Sequence, residues 1–542
     1  MMMFSDFPPP EDFPPFLTHR KVLEYFRLYA KRFDLLRHIR FGSEVTLVTK
    51  CEDYDASGRW RVEHTSISDG KVVQAAEVFD GVMVCNGHHS VPYVPEIPGL
   101  DNFKGLVMHS HSYKDAGLFH GKRVVILGLG NSAADIACDL ARGSEQVYLS
   151  SRRGAWIVPR TAFWGLPADM LANSRVVFSL PLRLLDWCVQ IQANFRIDHD
   201  TYGLRPKHGV LNCHPTINDE LPIHLVSGRV LTRSKISRVE ESGVWFHDDN
   251  VFCPCDAIIL ATGYDYRVDF VAPDAVQVVN NRTRLYKYVF PPHLSHPTLA
   301  MIGLIQAIGA VMPIAEMQCR WYTKLVKGER QLPSRRMMED DISKKEDSMK
   351  KLYLGSRRHT LQTFWIAYMD EVASQIGARP NLWKIVCTDP ELALKCYLGP
   401  CLPAQYRLVG PGTWKDARTF IVNAFARATR SRSSRLCKRS SSTTISAIHG
   451  DAGPQEYCAG SINTMVALNN TGIKTAGTVL TGHTSRRHRR RLLSPEWATM
   501  SFYVIILLAC CLVWVMGVML DQAGFRMSYV KTVTGTRSWG SC

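Results

Sequence analysis

Short apolar runs, bounded by glycine, proline and polar residues, punctuate the first 430 positions of the chain. Residues 45–48, 60–62, 82–85, 124–127, 146–149, 243–246 and 257–260 each have the length and side-chain content of a strand. Residues 124–127, VVIL, lack polar alternation, as expected of a strand buried on both faces of a parallel sheet. Residues 21–37 instead carry the three-to-four spacing of an amphipathic helix, after an extended proline-rich opening. Residues 160–230 are less regular, helical periodicity dominates from 337 to about 398, and 399–429 reads as an irregular coda. The stretch 300–314, AMIGLIQAIGAVMPI, is too short to cross a bilayer and is broken by glycine and proline, so burial near a cofactor is expected.

The run 124–127 feeds directly into Gly128-Leu129-Gly130-Asn131-Ser132-Ala133, a strand, a glycine turn and then a helix-forming segment. Such a turn brings backbone amides, expected to include those of Gly128 and Gly130, to a helix N-terminus that carries partial positive charge and suits a dinucleotide pyrophosphate. It is the only turn of this kind in the sequence. The next strand ends in Ser150-Ser151-Arg152-Arg153, about 20 residues beyond Gly130. An acidic residue there would favour NAD; hydroxyls and arginines favour the 2′-phosphate of NADP. The small residues of Ala261-Thr262-Gly263, after strand 257–260, mark a second place where backbone can approach a cofactor.

At 542 residues with 46% hydrophobic content the chain is expected to hold two or more globular domains. The net charge of +16 is concentrated: residues 427–491 contain twelve basic and two acidic side chains, so the globular part is only mildly basic and no nucleic-acid partner is expected. Sixteen dispersed cysteines read as reduced thiols, and Cys253-x-Cys255 has no second pair at zinc spacing, so no metal site is expected. The acidic, proline-rich start does not have the make-up of a secretory signal. Residues 501–520 are uncharged and long enough to span about 30 Å of hydrocarbon. Arginines at 486, 487 and 489–491 precede them, which orients the body of the chain to the cytosol.

Three motifs in order, Phe103-Lys104-Gly105 through His109 to Tyr113, the Gly128–Ala133 turn, and Leu260-Ala261-Thr262-Gly263-Tyr264, give the chain a resemblance to the flavin-containing monooxygenases of the microsomal type over residues 1–429. The resemblance implies an α/β fold of two Rossmann-like, FAD- and NADP-binding domains of the linked-reductase type, with a C-terminal transmembrane helix. The expected divisions are 1–118, part of the FAD domain; 119–265, the NADP domain; and 266–429, the rest of the FAD domain with a helical region. A basic, disordered linker at 430–500, an anchor at 501–520 and a tail at 521–542 follow. The family's opening G-x-G-x-x-G is not found, so the expectation is an N-terminally truncated member whose incomplete FAD domain binds FAD poorly or not at all.

The implied chemistry is reduction of FAD by NADPH, then oxygenation by O2 through a C4a-hydroperoxyflavin of soft nitrogen or sulfur nucleophiles or, in some members, ketones. Tyr113 resembles the heteroatom-oxidising pattern. Gly128, Gly130, Asn131, Ser132, Ala133, Ala134 and Asp135 are implied to surround the NADP pyrophosphate and ribose, with Ser151, Arg152 and Arg153 at the 2′-phosphate. No catalytic side chain is assigned, and His109 is read as holding a connection between domains. The implied location is the cytosolic face of the endoplasmic reticulum membrane. The alternative is an inactive, membrane-tethered NADP-binding protein.

Overall fold

The computed structural model describes residues 1–429, except 69, 163–164, 248–250, 354 and 358, together with the backbone of Met465–Val466. Apart from that pair, the expected linker, anchor and tail lie outside the described residues. Among the described residues no helix is long and apolar enough to cross a membrane.

Five parallel strands form the first sheet, in the order Val230–Arg233, Gln146–Ser150, Arg123–Leu127, Ala257–Leu260 and Leu106–His109. The sheet therefore takes one edge strand from the segment preceding residue 119. Val124, Val125 and Ile126 are fully buried because both faces are covered. Helices Asn131–Leu140 and Leu221–Val226 pack on one face. An antiparallel meander, Ile236–Glu240, Gly243–Phe246 and Phe252–Pro254, packs on the other through Val244, Phe246 and Cys253. Cys253 and Cys255 are ordinary core residues there.

The same arrangement recurs earlier in the chain. A second antiparallel meander, Ser43–Lys50, Trp60–Ser68 and Lys71–Phe79, precedes strand Val82–Val84, which pairs in parallel with Leu299–Met301. In the first sheet Ala257–Leu260 has the glycine-turn strand on its other side; at Val82–Val84 that side carries a two-residue antiparallel pairing with Met465–Val466. Helices Val311–Val326 and Trp365–Gln375 complete this core around the fully buried Trp321, Trp365 and Tyr322.

The expected helix near the start spans His19–Arg32, capped by the Thr18 hydroxyl and ended where Asp34 adopts a positive φ. It packs with Met3 and Phe13 against helices Leu382–Thr388, Pro390–Leu398 and Ala417–Val422. The coda is therefore less irregular than its sequence suggested. The helical stretch 337–398 is interrupted by strand Gln362–Phe364, which pairs in parallel with Gln306–Ile308.

Arg175 ties helix Arg175–Phe178 to this core by a two-pronged pair with Asp370, at 2.6 and 2.9 Å, with side chains only 9% and 14% exposed. Tyr406 donates a further bond to the same carboxylate at 2.7 Å. Removing Arg175 leaves the buried carboxylate only Tyr406 and the more exposed Arg379, 3.4 Å away, so Arg175→Ala is expected to destabilise the protein by about 2 kcal/mol. A lowered thermal unfolding midpoint, compared with the exposed-pair variant Arg142→Ala, checks this.

Candidate functional site

Gly128 has φ +128°, and a Cβ there would lie far inside contact distance of the Ala261 carbonyl oxygen. The glycine-turn strand and the Ala-Thr-Gly strand are neighbours in register, Leu127 beside Leu260, so the absence of a side chain lets the two strand ends converge. The Gly128 amide donates to the Ser150 carbonyl at 2.9 Å. This corrects the expectation that Gly128 offers an amide to phosphate; its contribution is space. The amides of Gly130, Asn131 and Ser132 have no acceptor among the described residues and open the ten-residue helix Asn131–Leu140. Ala133 and Ala134 are fully buried, and their small size seats that helix on the sheet.

Leu127 is in register with Ser150, which brings Ser151, Arg152 and Arg153 beside the turn at the carboxyl ends of adjoining strands. The Ser151 hydroxyl accepts the Gly154 amide at 3.0 Å and shapes that loop. Arg152 and Arg153 are exposed and pair with no carboxylate among the described residues. Asp135, one helical turn on, accepts from Asn218 at 2.8 Å and from Arg160 at 3.1 Å.

Asn218 belongs to a strap, His214-Pro215-Thr216-Ile217-Asn218, that the sequence analysis did not single out. The Thr216 hydroxyl donates to the Leu129 carbonyl at 2.7 Å, and the Ile217 amide donates to the Asn131 side chain at 2.8 Å. The strap thus fixes both halves of the turn. His109 fixes the neighbouring strand ends. Its Nδ1 accepts the His111 amide at 3.0 Å, which leaves Nε2 protonated and donating to the Gly263 carbonyl at 3.1 Å. Burial holds this imidazole below its ordinary pKa, against the Gly263 bond. A neutral histidine with both nitrogens engaged is a clamp, here between neighbouring strand ends of one sheet.

A second concavity, of about 650 Å³, lies at the carboxyl ends of Val82–Val84 and Leu299–Met301. Cys85 to Ser90, Ile302, Gly303 and the first turns of helix Val311–Val326 line it, with Phe4 and Tyr29 opposite. Both runs flagged in the sequence, the strand end at 82–85 and the stretch 300–314, meet here. The helix N-cap, Ala310, makes no side-chain capping bond, so its first-turn amides face the cavity's end uncapped. The lining contains one ionic side chain, Glu316, which is paired with Arg407. Such a wall of small, aromatic and neutral groups fits a flat, largely apolar ring, with the uncapped helix end suited to an anionic oxygen.

The two concavities are linked by a chain of rings in edge-to-face and tilted contact. Tyr266 lies 5.1 Å from His88, His88 4.2 Å from His89, His89 5.2 Å from Tyr264, and Tyr264 5.4 Å from His109. Burial, and then the neighbouring His89, lowers the His88 pKa from 6.5 to about 4. An unfolded His88 therefore binds a proton that the folded one rejects, and stability falls as pH drops from 6.5 toward 4. The expected loss is about 2 kcal/mol by pH 5 and about 3 kcal/mol by pH 4. Melting curves at pH 7 and pH 5 should converge more closely for His88→Gln than for the unaltered protein.

Residues 1–450 match the Flavin-binding monooxygenase-like family. The chain is 45% identical over 450 residues to flavin-containing monooxygenase 5 of Homo sapiens, covering 82% of this chain and 84% of the relative. It is 44% identical over 448 residues to flavin-containing monooxygenase 5 of Mus musculus, covering 82% and 83%. Among solved structures, S-allyl-L-cysteine S-oxygenase from Allium sativum is similar at 25% identity and a TM-score of 0.51, covering 79% of this chain and 82% of that one. The chain belongs to the family of NADPH-dependent, flavin-containing monooxygenases, whose cofactors are FAD and NADP.

Proposed function

We propose that the chain oxygenates soft nitrogen or sulfur centres of small molecules with NADPH and O2. The ring chain from the FAD cavity to the NADP clamp carries this reading, since it makes the two sites one connected region. Sulfur as an acceptor is supported by the garlic relative, whose name describes an S-oxygenase.

FAD, when bound, supplies the two-electron relay between NADPH and O2. The residues of this chain provide the surroundings. The amides of Gly130, Asn131 and Ser132 hold the NADP pyrophosphate, and Ser151, Arg152 and Arg153 hold the 2′-phosphate. Asp135 braces the strap that fixes Asn131. Gly303 and the first turn of helix Val311–Val326 hold FAD, and neutral His88 and the thiol of Cys85, pushed up to about 11 by burial, keep the cavity uncharged. His109 keeps the two strand ends together so that the nicotinamide is presented to the flavin and water is excluded. We further propose a location on the cytosolic face of the endoplasmic reticulum membrane, anchored by residues 501–520.

Oxygen-isotope labelling tests the reaction: with NADPH, added FAD and a thioether or tertiary amine, one atom from O2 should enter the product. An unlabelled product, or NADPH-independent turnover, sinks the proposal. Arg152→Ala with Arg153→Ala is expected to raise KM for NADPH about tenfold or more and leave KM for NADH nearly unchanged. Gly128→Ala should weaken both cofactors alike, by about 1–3 kcal/mol, because it forces the strand ends apart. Initial-rate measurements with each nucleotide separate the two effects.

A further inference from the structure

Cys213 lies in the strap segment, just after the single turn Val210–Asn212 and three residues before Thr216. Its Sγ is 3.3 Å from Nε2 of His359, and the other ring nitrogen, Nδ1, is 3.0 Å from the hydroxyl of Ser356. His359 is 8% exposed, and Cys213 is half-buried. The two come from segments 146 positions apart, and the meeting is held from both sides. Asn212 donates to the Leu352 carbonyl at 2.6 Å, and Gln362 and His214 approach at 3.3 Å. None of these residues lines the FAD cavity or the NADP turn.

A thiol in line with an imidazole whose far nitrogen is positioned by a hydroxyl is the arrangement that moves a proton from sulfur to ring and leaves a thiolate nucleophile. We propose that Cys213 is an activated thiol, a modification site for hydroperoxides and soft electrophiles, with His359 as its proton partner and Ser356 as the positioning residue. With a hydroperoxide the sulfur attacks the terminal, hydrogen-bearing oxygen. The S–O bond forms as the O–O bond breaks, giving a sulfenic acid. The departing alkoxide or hydroxide takes the proton held on His359 and leaves as alcohol or water. Sulfur is oxidised by two electrons and the peroxide is reduced by two. Hydrogen peroxide is the two-electron reduction product of O2 whenever NADPH oxidation is not matched by oxygen transfer, so the enzyme's own reactants provide an oxidant of this class.

The other cysteines of the core differ. Burial pushes Cys138, Cys319 and Cys396 up to about 12 and Cys401 to about 11, which keeps them as thiols. Cys387 is exposed on helix Leu382–Thr388 and serves as a reference thiol in the same molecule.

The test is iodoacetamide labelling of the full-length, folded protein at pH 7, with the rate at each cysteine read by peptide mass spectrometry. Cys213 is expected to react about tenfold or more faster than Cys387 despite its lower exposure. His359→Gln should abolish that advantage while the Cys387 rate is unchanged, and Ser356→Ala should reduce it. Hydrogen peroxide followed by dimedone should tag Cys213 in the unaltered protein. Labelling of Cys213 no faster than Cys387, an advantage that survives His359→Gln, or no dimedone adduct at Cys213 would each overturn the proposal. If His359→Gln exposes buried Cys138 to label and so reports unfolding, the unaltered protein and Ser356→Ala still decide the matter.

Discussion

Two backbones meet at the carboxyl end of the five-stranded sheet, and that contact governs the rest of the site. The Ala261 carbonyl occupies the space where a side chain at position 128 would begin. Because Gly128 yields that space, its strand and the Ala-Thr-Gly strand remain paired to their ends, and helix Asn131–Leu140 starts where free amides are wanted. The strap at Thr216–Asn218 then has a fixed surface to bond, and Gly263 stands in reach of His109. A looser approach at this point would dissolve each later contact in turn.

The second half of the molecule repeats this logic with different means. Both parallel pairs, Ala257–Leu260 with Leu106–His109 and Val82–Val84 with Leu299–Met301, follow an antiparallel meander and end at a concavity. One concavity has a glycine turn and basic flank; the other has small residues, aromatic rings and an uncapped helix. Charge is thus concentrated at one concavity and withheld from the other, the division that the proposed phosphate and flavin sites require. His88 and His109 bridge the two as neutral rings, with burial lowering the pKa of both.

The strands buried on both faces were legible because a continuous apolar run has little other use: residues 243–246 and 257–260 are strands over those very limits. Lys71–Phe79 was not legible. It is an exposed strand whose Val72 and Val73 face solvent, so no alternation marks it. Helix Leu182–Arg196 was hidden for a related reason, since Leu182, Leu184, Ile191 and Phe195 remain exposed and blur its apolar face. The turn and its basic flank could be read from spacing, because those residues are local to two adjoining strands. The strap bonds and the meeting of Cys213 with His359 join distant segments, and local spacing says nothing of them.

Phe4, Phe7 and Tyr25 at one end of the described chain form a tight aromatic group that rests on helices between residues 382 and 424. Arg407 and Arg427 close the contact through Asp6, Glu316 and Glu11. On a ribosome these aromatics emerge nearly 400 residues before their partners, and at about 5–20 residues per second the delay is roughly 20–80 seconds. For that interval the segment is an unsatisfied hydrophobic surface. The contact between these distant segments therefore leaves the aromatic group without its partners until the last of the described helices has been made.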